Sequence, residues 1–157
     1  MNLRRGETCG EAGFTLLEVV CIVAIVALIA AVALPAMPRG ASRAQFYAVA
    51  TAAAALLKAD RVAAMRSGET VSTQVDPIAH AIRSGAGGRV VTAPPDVGFS
   101  ALLAESCAGR DAGGAISFFP SGLSCGGTIS LSRLGETLEV RVAWLTGGVE
   151  IVPKKTF

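Results

Sequence analysis

The chain has 157 residues, a length that suits one domain and is short for two. Lys and Arg number 14 and Asp and Glu 12, a formal charge of +2, too mild for a protein that holds nucleic acid by charge alone. Apolar residues make up 52% and charged residues 17%, against roughly 25% charged in ordinary soluble domains. That excludes a disordered chain.

Much of the apolar excess lies in one segment. Phe14 to Leu34 reads FTLLEVVCIVAIVALIAAVAL, 21 residues with a single charge, Glu18. A bilayer core of about 30 Å takes roughly 20 apolar residues at 1.5 Å each, so the run is long enough to span. As a span it must be helical, because lipid offers its backbone no other hydrogen-bond partners. A cleaved secretory signal is the competing reading, but its apolar region typically holds about 7–15 residues. Arg4 and Arg5 precede the run while Arg39 and Arg43 follow it, so the positive-inside rule leaves orientation open. A carboxylate at Glu18 in lipid costs up to about 3 kcal/mol. Either Glu18 sits at headgroup depth, or it needs a cation that the flanking sequence lacks and a new amino terminus would supply.

Pro35, Pro38 and Gly40 then interrupt the pattern. Helical spacing resumes with Phe46, Val49, Ala50, Ala53, Leu56, Leu57 and Ala64. Arg43, Lys58, Asp60, Arg61 and Arg66 fill the polar positions, and Ser42 and Ser67-Gly68 are candidate ends. From Thr70 onward the period becomes two. Thr70 to Asp76 reads as a strand, as does a run carrying Ile78, His80 and Ile82, with weaker runs at Arg89 to Ala93 and Phe99 to Leu103. Ile116 and Phe118 lead into a turn at Pro120-Ser121-Gly122, and Ile129 and Leu131 alternate with hydroxyl residues. The cleanest strand sets Leu138, Val140, Val142 and Trp144 against Thr137, Glu139, Arg141 and Ala143. Gly147-Gly148 turns into a closing strand, Val149 to Val152. The fold class is α+β, a long N-terminal helix packed on antiparallel sheets.

Gly13-Phe14-Thr15-Leu16-Leu17-Glu18-Val19-Val20 resembles the cleavage and methylation motif of type IV pilins and type II secretion pseudopilins. The resemblance implies that a prepilin peptidase cuts between Gly13 and Phe14, that Phe14 is then N-methylated, and that Glu18 guides subunit assembly. Pro35 matches a helix-kinking proline common in that class. The implied division is a leader at 1–13, a transmembrane helix segment at 14–34, an amphipathic continuation at 35–68 and a periplasmic β domain at 69–157. The leader carries Arg4, Arg5, Glu7 and Glu11, so it is less basic than usual and its loss leaves the net charge at +2. Burying a Glu18–ammonium pair between subunits is poor for stability but good for register, which suits a filament.

In the C-terminal half, Ile116-Ser-Phe-Phe-Pro-Ser-Gly, Gly126-Gly-Thr-Ile-Ser-Leu and Leu138-Glu-Val-Arg-Val-Ala-Trp-Leu-Thr-Gly-Gly-Val-Glu-Ile are similar to the GspH/FimT family. These are the H-type minor pseudopilins of type II secretion and their minor-pilin relatives. The implied function is a structural subunit of the periplasmic pseudopilus, in its tip or initiation complex. Its partners would be other minor and major pseudopilins, the prepilin peptidase, the inner membrane, and secreted cargo or the secretin. The alternative is a FimT-like minor type IV pilin in pilus priming or DNA uptake. Lys154-Lys155 and scattered arginines offer little for DNA, so the leading reading has no nucleic-acid partner.

Four cysteines divide by position. Cys9 falls in the leader and Cys21 in the span. Cys107 and Cys125 fall in the external domain, where an oxidising compartment would allow a disulfide; two free buried thiols are the other reading. One histidine and no C-x-x-C pair leave no metal site, and no cofactor is expected. His80 reads as a packing or surface residue. The Ser-Gly pairs at Ser67, Ser84 and Ser121 lack a nucleophile-elbow motif, and Gly85 to Gly88 lacks a phosphate-loop ending. Glu136, Glu139 and Glu150 read as solvated strand positions. No catalytic residue is assigned and no enzyme is expected.

Overall fold

The computed structural model describes residues 15–33 and 42–155. Gly13, Phe14, Pro35 and the 1–13 leader lie outside the described residues. The chain divides into two compact units, Met1–Arg39 and Gly40–Phe157. In the first, helix α1 runs Leu16–Ala33.

The second unit opens with helix α2, Arg43–Ser67. Ser42 starts it, its hydroxyl accepting from the Gln45 N–H at 3.1 Å. Gly68 ends it at φ 70, a left-handed cap whose N–H reaches the Ala64 carbonyl. Both end signals were readable in the sequence. The buried stripe comprises Phe46, Ala50, Ala53, Ala54, Leu56, Leu57, Asp60 and Ala64, which keeps helical spacing. The alanines let the helix approach the sheets closely.

Among the described residues ten strands follow: β1 Val71–Asp76, β2 Ala81–Arg83, β3 Val90–Thr92, β4 Gly98–Leu103, β5 Ser106–Cys107, β6 Arg110–Asp111, β7 Ala115–Phe118, β8 Gly127–Arg133, β9 Glu136–Val142 and β10 Val149–Lys155. One antiparallel sheet has the order β3-β2-β1-β7 and the other β10-β9-β8-β4, with β5-β6 a separate small hairpin. Register sets apolar side chains in rows. Ala101, Ile129, Val140 and Ile151 line up across the second sheet, as Val75, Ile82 and Val91 do across the first. These inner faces and the α2 stripe form a single core around Phe46, Leu56, Leu57, Ile116, Phe118, Ile129, Leu131 and Val140.

Four expectations need correction. Ile78 and His80 are not in a strand: residues 77–80 form a turn held by Asp76 Oδ1, which accepts from the Ile78 and Ala79 N–H groups. Pro77 and that local acceptor outcompete the ladder. Trp144 does not continue the buried row, because β9 stops at Val142 and the chain turns through Gly147 at φ 61. Asp60 and Glu139 are buried rather than solvated; their partners explain why. The β5-β6 hairpin is too short to carry a period and was not readable.

Candidate assembly site and interaction surfaces

In α1 the helix starts at Thr15, whose hydroxyl and carbonyl both accept from the Glu18 N–H, at 3.3 and 3.0 Å. Thr15 and Glu18 stand three apart at a helix start, the spacing of a capping box. Glu18 also lies in the first turn, where the helix dipole favours an anion. The Thr-x-x-Glu spacing in the sequence was the available signal for this helix start. Beyond it, Leu16, Leu17, Val23, Ile25, Leu28 and Ile29 are all exposed, and so is the free Cys21. A helix apolar on every side needs a bilayer or other helices around it. Its 18 residues rise about 27 Å, and among the described residues no helix is long and apolar enough to cross a membrane. The remaining residues of the 14–34 run lie outside the described ones.

In the second unit Asp60 is 1% exposed and collects three donors. Oδ2 accepts from Thr73 Oγ1 at 2.6 Å and from the Gly85 N–H at 3.1 Å, and Oδ1 accepts from Ser84 Oγ at 2.5 Å. One carboxylate thus pins α2 to β1 and to the loop after β2. Its neighbour Arg61 donates from Nε to the Gly122 carbonyl at 3.1 Å, tying the helix to the loop before β8.

Cys107 and Cys125 are paired as a disulfide, Cα atoms 5.7 Å apart, which anchors the β5-β6 hairpin beside β8. The bridge floors a groove of about 400 Å³ whose apolar walls are Phe119, Leu123, Trp144 and Leu145. Trp144 and Leu145 are exposed at 68% and 60%. The strand reading of Trp144 had hidden this exposed rim.

Two charged clusters sit on the second sheet. Glu139 is sheltered beneath Arg141, with Nε and Nη2 at 2.9 and 2.6 Å from its Oε2, and beneath Lys154, whose Nζ is 3.2 Å from Oε1. Hydrogen bonds from Arg141, then Lys154, hold the Glu139 carboxyl below its ordinary value of 4.5. At the start of α2, Tyr47 donates its hydroxyl to Glu136, and Arg43 Nη2 stands 3.5 Å from the same oxygen. Lys154 is exposed and paired with Glu139. Among the described residues no three His, Cys, Asp or Glu side chains gather as metal ligands.

A helix laid on antiparallel sheets, joined in sequence to an apolar helix, defines a pilin-like fold. Two solved structures share it. The minor pseudopilin EpsH from the Type 2 Secretion System of Vibrio cholerae matches with a TM-score of 0.51 at 15% identity, over 66% of this chain and 93% of that one. The type IV minor pilin FimU of Pseudomonas aeruginosa matches with a TM-score of 0.50 at 16% identity, over 71% of this chain and 90% of that one. No family model and no curated protein sequence matches the chain.

Proposed function

We propose that the chain is a minor pseudopilin of a type II secretion system, a structural subunit in the tip or initiation complex of the periplasmic pseudopilus. The observation that carries the reading is the union of a pilin-like domain with an apolar helix that has Glu18 in its first turn and Gly13-Phe14 just before it. Residues 14–34 anchor the chain in the bacterial inner membrane, with the C-terminal domain in the periplasm. Cleavage between Gly13 and Phe14 by prepilin peptidase creates an ammonium at Phe14, which is then methylated. Glu18 pairs with that ammonium on a neighbouring subunit, so two costly charges become one register mark. Pro35 bends the stem. Partners are other minor and major pseudopilins, with cargo or the secretin at the exposed tip.

A bulky residue at Gly13 leaves a precursor about 13 residues longer and unassembled. Glu18→Ala spares cleavage but abolishes cross-linking to neighbouring subunits in native membranes. Cross-linking at the wild-type level would refute the assembly role of Glu18.

The second reading, a FimT-like minor type IV pilin in pilus priming or DNA uptake, draws support from the likeness to FimU. A salt-dependent gel shift separates the two. Submicromolar, salt-sensitive DNA binding favours the pilin, and its absence favours the pseudopilin.

A further inference from the structure

The edge strands of a sheet recruit other chains unless something blunts them. Among the described residues the two larger sheets end in β3, β7, β10 and β4, and the first three are blunted. β3 has only three residues. β7 is closed by the segment after it, where Phe118 bridges Ser124 and the Cys125 N–H reaches the Ser117 carbonyl at 3.1 Å. β10 carries Glu150, Pro153, Lys154 and Lys155. β4, Gly98-Phe-Ser-Ala-Leu-Leu103, is six residues long with no charge and no proline. Its pairing with β8 uses the N–H and C=O of alternate residues, so those of the others point to the free side. Among the described residues no backbone bond reaches them there. A row of backbone donors and acceptors fits one chemistry, an extended polypeptide.

The side chains say which polypeptide. Gly98, Ser100 and Leu102 face outward, Leu102 at 77% exposure, while Phe99, Ala101 and Leu103 pack against the core. If β4 meets a second copy of itself antiparallel, the two faces stay matched only when the twofold axis passes through a residue. With the axis at Ser100, Leu102 stands opposite Gly98 and Phe99 opposite Ala101, each large side chain across from a small one. An axis at Ala101 sets Phe99 against Leu103, and an axis at Phe99 sets Leu102 against Asp96. A strand that pairs with itself must also bring no like charges face to face, and β4 has none to bring.

We propose that β4 is a self-pairing edge. Two copies of the chain join β4 to β4 antiparallel about Ser100, making one continuous sheet in the order β10-β9-β8-β4-β4-β8-β9-β10. The pairing satisfies both rows of backbone groups at once and covers Leu102. The inference concerns the second unit alone and goes beyond the proposed function without resting on it.

The test is cysteine cross-linking of the full chain in dodecyl maltoside micelles, in a Cys9→Ser, Cys21→Ser background, with copper phenanthroline as oxidant. In the self-pair Ser100 faces its own copy at about 4.5–5.5 Å between Cα atoms, within the reach of a disulfide. Leu102 lies four residues along from its copy, about 13 Å. Expected is at least fivefold more covalent dimer from Ser100→Cys than from Leu102→Cys, although Leu102 is well exposed. Dimer from neither variant overturns the proposal. Equal yields, or more from Leu102→Cys, indicate random collision in the micelle and overturn it too. In native membranes, a Ser100→Cys product whose mass is not twice that of the chain assigns the edge to a different subunit and overturns self-pairing.

Discussion

Replacing Asp60 with alanine removes the carboxylate through which α2 bonds to β1 and to the loop after β2. Thr73 is fully buried and Ser84 nearly so, so two hydroxyls lose their acceptor where water cannot replace it, while Ser84 Oγ keeps the Gly87 N–H at 3.1 Å. Each stranded polar group costs about 1–3 kcal/mol. Gly85 is exposed, and its N–H can turn to solvent. Alanine returns up to about 0.7 kcal/mol in helix propensity. The net expectation is a loss of about 1–5 kcal/mol, a large share of the roughly 5–15 kcal/mol that holds such a domain together. Urea unfolding of a fragment beginning at Gly40, followed by circular dichroism, measures it as a lower midpoint at unchanged slope. Adding Thr73→Val and Ser84→Ala to Asp60→Ala should recover part of the loss, since no stranded group then remains. A single Asp60→Ala within about 0.5 kcal/mol of the parent protein refutes the reasoning, because the triad of bonds would then be incidental.

Opening the Cys107–Cys125 bridge, 18 residues apart, costs about 3 kcal/mol in the chain-entropy model, read as a lower urea midpoint with reductant. Folding lowers the pKa of Glu139, so the folded chain binds fewer protons than the unfolded chain on the acid side. The stability this cluster adds is complete above pH 4.5 and disappears as pH falls through the lower folded value; Glu139→Gln flattens that acid limb of a stability–pH curve. Leu134→Asn relieves a left-handed leucine and should raise stability by about 0.5–1 kcal/mol in a thermal melt. A fall instead would mean that leucine serves the fold.

The elements best read from sequence were those with a long period or a capped end. Helix α2 announced both of its ends at Ser42 and Gly68, and β8 and β9 kept a period of two over seven residues each. What escaped was set by tertiary geometry. Asp60 has the sequence context of a surface residue, and only the meeting of α2 with Thr73 and Ser84 makes it interior. Glu139 holds an outward position but is roofed by two long cationic side chains, an arrangement that alternation cannot express. Trp144 matched the parity of β9 by accident, one step past the place where the chain turns away. Of the candidate assembly site, Glu18 was legible as a charge in an apolar run, while the bond of its N–H to Thr15 needed the helix start to be fixed.

The central claim is that proteolysis creates the positive charge that Glu18 awaits. Mass spectrometry of the amino-terminal peptide, from protein extracted out of its native membrane, tests it most directly. The account predicts a chain that begins at Phe14 with one added methyl on its nitrogen. A chain that begins at Met1, or at any other residue, contradicts it.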